Sequence, residues 1–217
     1  MQTEARVIDL SKSEYGTFAA PDTNRVIRNT YKLLALSTGV AAVGAGISML
    51  AGFGPLTGIV FTLLGLVPLF YLSKHRDSAS AVPAMLTFTG LSGLGLGPIL
   101  THYLSLPGGS ATVMTAAVLT TAVTLALTGY VHKTGKDFTR MGGFLFAGLI
   151  VVLLASIAAI FVPAMQAGVS AVAALLFSGF ILFDTSRLIR GEEDNYVLAA
   201  CSMYFNVLNL FLSILQL

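Results

Sequence analysis

The residue of this chain best placed to do chemistry is Asp184, a carboxylate inside an otherwise apolar run. A charge near the centre of a membrane helix costs about 2.5 to 3.5 kcal/mol on insertion scales, so it normally faces protein or water and serves a function. Arg187, one helical turn on, supplies the ordinary alternative, an ion pair close to the membrane surface. Counting along the chain gives a sharper reading. Asp184 and Asn206 each lie eleven residues from Asn195, in the turn Gly191-Glu192-Glu193-Asp194-Asn195. In a helical hairpin they therefore reach the same depth. A carboxylate opposite an amide there is placed to share a hydrogen bond and to hold or release a proton. Asn209 lies one turn beyond Asn206 on a similar face. Asp184, Asn206, Asn209 and Arg187 are the candidate pH-sensing or ion-pathway residues.

Other chemistry finds no complete constellation. Gly90-Leu91-Ser92-Gly93 has the GxSG form that carries a nucleophilic serine in some intramembrane proteases, and such a serine needs a histidine base within hydrogen-bond reach. His102 is ten residues along the same helix, a rise of roughly 15 Å. His75 and His132 are expected in loops. The sequence has no HExxH, no GxGD with a second aspartate and no phosphate-cradling loop. The three histidines are too dispersed to converge on a metal. Cys201 is the single cysteine and has no intrachain disulfide partner. No catalytic residue, metal or cofactor is assigned, and no enzyme is expected.

The elements that must position Asp184 are read from charge. Leu33 to Ser73, Ser78 to His132, Met141 to Phe183 and Asn195 to Leu217 contain no Asp, Glu, Lys or Arg, and they run 41, 55, 43 and 23 residues. A helix needs about 20 residues to cross a bilayer, so they hold two, two, two and one spans. The long runs break at Gly52-Phe53-Gly54-Pro55, Leu106-Pro107-Gly108-Gly109 and Val162-Pro163, short turns between antiparallel helices. The spans are expected at about 30–51, 55–73, 80–105, 110–131, 141–162, 164–189 and 196–217. Hydrophobic residues make up 55% of the chain and charged ones 10%, where soluble domains average about 25% charged. The fold class is an all-α integral membrane protein of seven transmembrane helices, with membrane lipid as its solvent.

All twelve lysines and arginines fall on one side of this frame. Basic residues in short loops stay cytoplasmic during insertion, which predicts a cytoplasmic N-terminus and an external C-terminus. The net charge of +2 reports topology and does not argue for nucleic acid as a partner. Tyr31, Tyr71, Tyr103, Tyr130 and Tyr196 fall near span ends, where an amphipathic ring suits the interface. Residues 1–28 carry mixed charges and little helical periodicity and are expected to be a disordered cytoplasmic tail, leaving residues 29–217 as the membrane domain. The first apolar run is too long for the core of a cleavable signal peptide. Gly93 and Gly97 form a GxxxG face for helix packing. Pro98 is expected to weaken the third span, with a cavity beside it.

Phe180-Ile181-Leu182-Phe183-Asp184-Thr185-Ser186 and Met203-Tyr204-Phe205-Asn206-Val207-Leu208-Asn209-Leu210-Phe211 resemble the last two helices of the Bax inhibitor (TMBIM) family. Gly97-Pro98-Ile99-Leu100 and Arg28-Asn29-Thr30-Tyr31 look like its bacterial YccA branch. The resemblance implies six helices surrounding a central seventh, in a bacterial inner membrane. It implies two roles. One is as substrate and modulator of FtsH, the ATP-dependent membrane protease, gripped by a flexible cytoplasmic tail. The other is a proton-sensitive calcium leak, in which an aspartate on helix six pairs with a second on helix seven. Asp184 matches the first aspartate, but Asn206 stands at the second position, and the second span has no arginine of the kind found in the leak relatives. Calcium wants roughly six to eight oxygens, usually with several carboxylates among them.

Overall fold

The computed structural model describes residues 23–217. Among them are seven α-helices and no strand: α1 (Thr23–Leu50), α2 (Pro55–Lys74), α3 (Ala81–Leu104), α4 (Gly109–Thr134), α5 (Gly142–Phe161), α6 (Gln166–Ile189) and α7 (Tyr196–Leu215). All seven are long and apolar enough to cross a membrane. The outer faces of α2 and α5 expose Leu56, Leu63, Phe70, Phe144, Leu154 and Phe161, a surface that water would penalise and lipid does not. The inside is by contrast rich in small and hydroxyl side chains, with Thr30, Ser37, Ser48, Thr89, Thr185 and Ser186 fully enclosed.

The helices stop at the expected breaks, and Gly52 and Gly108 take the left-handed φ of 65° and 75° that these turns require. Two boundaries differ from expectation. Helix α1 begins at Thr23, so residues 23–28, expected to close the tail, are helical; the rest of that tail, residues 1–22, lies outside the described residues. The cause is tertiary, since Val26 is buried against Leu188, Ala199 and Met203. Helix α4 runs on to Thr134, which puts His132 in its last turn and not in a loop.

Helix α7 is the most buried of the seven. It packs against α1, α3, α4 and α6, while α2 is held mainly through α3 and α5 through α6. The tightest seam joins α1 to α3. A Cβ added at Gly93 would run into the Ala41 carbonyl, and one at Gly97 into Ser48. On the other side of α3, Gly95 meets Thr62 of α2, and Gly58 lies against the ring of Pro98. Backbones brought this close gain van der Waals contact that lipid tails cannot replace.

Pro98 has no N–H, so the carbonyl of Leu94 one turn back loses its helical partner. The Ser48 hydroxyl of α1 donates to that carbonyl at 2.8 Å. Beside the proline, a crevice of about 390 Å³ between α2 and α3 is lined by Gly58, Thr62, Gly95, Pro98 and His102.

The seam makes a specific prediction. Gly93→Ala forces a methyl into backbone and should cost about 1–3 kcal/mol. Gly39→Ala, where an added Cβ meets nothing within 4 Å, should leave stability unchanged or raise it by up to about 1 kcal/mol. Unfolding in mild detergent measures both, and equal midpoints for the two variants would contradict the packing.

Candidate functional site

Asn195 sets the hairpin from which the site hangs. As the N-cap of α7, its Oδ1 accepts from the backbone N–H groups of Val197 at 2.9 Å and Leu198 at 3.1 Å. Its Nδ2 donates to the Arg76 carbonyl at 2.8 Å and to Asp77 Oδ1 at 3.0 Å. One amide thus satisfies two donors at the helix start and ties that start to the connection between α2 and α3.

Eleven residues away on either side, Asp184 and Asn206 meet at the same depth. Asn206 Nδ2 donates to Asp184 Oδ2 at 2.7 Å. The Ser202 hydroxyl donates to the same oxygen at 2.5 Å. Asp184 is 8% exposed and Asn206 6%, so in this apolar interior each bond counts for more than it would in water. Arg187 does not form the ion pair with Asp184 that its spacing allowed. Its guanidinium bridges to Glu193 at 3.2 Å and lies over the Phe183 ring, 5.6 Å from the centroid. Asn209 is not part of the contact either: its Nδ2 donates to the Phe205 carbonyl at 2.7 Å.

Asp184 is the first of three consecutive buried residues of α6 that each address a different neighbour. Thr185 lies beside the Tyr31 hydroxyl, as does Thr128 of α4, and Tyr31 in turn contacts His132 Nε2 at 3.0 Å. The Ser186 hydroxyl accepts from the Phe138 N–H at 3.0 Å and donates to the Lys136 carbonyl at 3.4 Å. That connection between α4 and α5 is further held by Asp137, whose Oδ1 accepts from the Thr139 hydroxyl at 2.7 Å and from its N–H at 2.9 Å. These Thr139 bonds, aided by the charges of Arg190 and Arg140, hold the Asp137 carboxyl below its usual range. Its contribution is therefore present at neutral pH and lost only as pH falls through that lowered value.

Spacing along α7 extends the site. Ser202, Asn206, Asn209, Ser213 and Gln216 recur at intervals of four, three, four and three residues, which is one helical face. Its far end borders a small polar crevice of about 170 Å³ lined by Gln166, Ser170, Asn209, Ser213 and Gln216. There Gln166 Nε2 donates to Gln216 Oε1 at 2.7 Å. Ser202 was visible in this periodicity, one turn before Asn206, and sequence reasoning missed it. The contact of Tyr31 with His132 spans 101 residues and left no local signal.

Chemically, this site is a single carboxylate met by two neutral donors on one oxygen. It suits holding or passing a proton. Among the described residues no three His, Cys, Asp or Glu side chains gather as a metal site. The GxSG serine, Ser92, donates to the Phe88 carbonyl of its own helix at 2.9 Å.

Comparison with known proteins identifies the family. The sequence model of the family described as "Inhibitor of apoptosis-promoting Bax1" matches residues 23–217. An uncharacterized membrane protein of Vibrio cholerae is 44% identical over 199 residues, 90% of this chain and 89% of its own length. The Escherichia coli K12 protein named "Modulator of FtsH protease YccA" is 39% identical over 198 residues, 90% of each chain. A Campylobacter jejuni protein is 37% identical over 218 residues, 96% of this chain and 94% of its own.

Asp184→Asn keeps an acceptor facing Ser202 and Asn206 and should fold nearly as well as the parent. Asp184→Leu strands both donors and should lose about 1–3 kcal/mol for each one left unmet. Thermal unfolding in detergent decides it; a leucine variant as stable as the asparagine variant would mean that these hydrogen bonds do not hold the hairpin.

Proposed function

The chain belongs to the Bax inhibitor family, and from that premise we propose that it is a modulator and substrate of an FtsH-type ATP-dependent protease in the bacterial inner membrane. The observation that carries this reading is the 39% identity, over 90% of both chains, to the Escherichia coli protein named as a modulator of that protease.

The body described above supports the reading physically. A protease that works by pulling must draw helices out of lipid one after another, and each carries contacts that have to break first. The glycine seam between α1 and α3 and the Asp184 hydrogen bonds between α6 and α7 are such contacts. A substrate that yields slowly occupies the enzyme and restrains its turnover of others. The grip would be residues 1–22, ahead of α1. For the enzyme to reach them they must lie on the cytoplasmic side, the side assigned to the basic ends of these helices by the distribution of lysine and arginine.

The calcium leak receives less support. Both donors to Asp184 Oδ2 turn hydrogens, not lone pairs, toward the carboxylate. A calcium ion there would meet one carboxylate where it wants several.

Deleting residues 1–22 leaves α1 whole. In cells with an FtsH-type protease, the truncated protein should persist several-fold longer than the full chain, and overproducing it should no longer slow degradation of other membrane substrates. Unchanged half-lives in both assays would refute the proposal. Reporter fusions test the orientation separately, with activity expected from a cytoplasmic reporter at the N-terminus and an external one at the C-terminus.

A further inference from the structure

Helices α1 and α4 share no extensive packing seam and meet at Tyr31 and His132. Between them runs a groove of about 690 Å³, floored by Ile181 of α6 and by Met203 and Val207 of α7. It continues toward the uncharged end as a second hollow of about 410 Å³, with Thr38, Ala42, Thr121 and Val207 common to both. The head of the groove is closed by the contact between Tyr31 and His132.

The walls are shaped for a slender apolar occupant. On α1, Ala35, Gly39, Ala42 and Gly46 line up along one stripe, and a Cβ at Gly39 or Gly46 would meet nothing within 4 Å. These glycines differ from Gly44, where a Cβ would press on the Gly90 carbonyl; they leave an open trough where Gly44 joins a helix seam. Thr38 and Thr121 turn their hydroxyls to the Leu34 and Ala117 carbonyls of their own helices, at 2.9 and 2.8 Å. What they leave for the groove is methyl surface.

Length and charge identify the occupant. The main hollow runs from Tyr31 to Ala42 on α1 and from His132 to Thr121 on α4, eleven residues on each. That is about 16 Å of helix rise, and one leaflet of a hydrocarbon core roughly 30 Å thick is about 15 Å deep. At the leaflet surface this closed end is flanked by cations, and the groove opens sideways to lipid. Arg28 continues the Ala35, Gly39 and Ala42 stripe, while Lys32 and Lys133 directly follow Tyr31 and His132. All three are exposed, and none forms an ion pair with a described residue.

We propose that this groove binds one acyl chain of an anionic phospholipid from the leaflet at the basic end, with its headgroup phosphate taken by Arg28, Lys32 and Lys133. Bulk annular lipid exchanges along the whole surface without such a match of depth and charge. The occupant therefore becomes part of the wall between α1 and α4, covering α7 where the protein itself does not.

The chain has no tryptophan, so a single Leu125→Trp change on the exposed groove wall gives a clean fluorescent reporter. In vesicles containing brominated phosphatidylglycerol or brominated phosphatidylcholine, the anionic lipid should displace the neutral one with a preference on the order of fivefold. The preference should vanish when Arg28, Lys32 and Lys133 are all changed to Gln. Adding Gly39→Leu, which fills the trough, should weaken quenching by both lipids. A Leu154→Trp reporter on the outer face of α5 should show no preference. Native mass spectrometry of the unaltered protein should retain phosphatidylglycerol over phosphatidylcholine. Equal quenching by the two lipids at Leu125→Trp, the same preference at Leu154→Trp, or a preference surviving the triple change would overturn the proposal. So would absence of quenching by either lipid, the result expected if a second copy or a partner helix fills the groove.

Discussion

Lipid offers no hydrogen bonds, so the backbone polar groups carried into the bilayer must be answered from within the protein. The rest of this architecture follows from that constraint. Water drives a soluble protein to hide apolar surface; here apolar surface is free to face outward, and the interior is where polar groups find one another. The hydroxyls of Thr30, Ser48, Thr120, Ser178 and Ser213 all donate to backbone carbonyls. Asp184 is the extreme case, since a carboxylate in that setting needs donors and receives two from α7. Of three consecutive residues, Asp184 fastens α6 to α7 and Ser186 fastens it to the α4–α5 connection, while Thr185 lies buried beside Tyr31, and α6 is thereby the hub of the basic half.

Much of this was legible in the sequence because the bilayer imposes few rules and they leave plain marks. Uncharged runs gave the number of spans, glycine and proline gave the turns, and equal distances from Asn195 put Asp184 opposite Asn206. The failures have physical causes too. Arg187 had two carboxylates within reach, and spacing favoured Asp184; Glu193 takes the guanidinium at 3.2 Å, while Ser202 and Asn206 already answer Asp184. Asn209 shares a face with Asn206, yet its amide turns to the Phe205 carbonyl, so a shared face did not become a shared contact. The early start of α1 depends on Val26 docking against α6 and α7, a partnership between distant segments that no local pattern encodes.

Placing the carboxylate between the last two helices gathers their polar contacts at one point. The hydrogen bonds that join the final hairpin surround the one acid buried among the described residues. Both donors to that acid stand on α7, the most buried of the seven helices. For a protein whose body is proposed to resist extraction, these bonds are among the contacts that hold α7 in place.

Pro98 and Ser48 carry a lesson about inheritance. The serine answers a carbonyl that stands open only because the residue one turn later is proline. Were the proline replaced first, the backbone would close its own bond and the serine would become dispensable. Were the serine lost first, an unanswered oxygen would remain in hydrocarbon. The two positions are therefore epistatic with a preferred order of change, and a lineage is expected to abandon the proline before it abandons the serine.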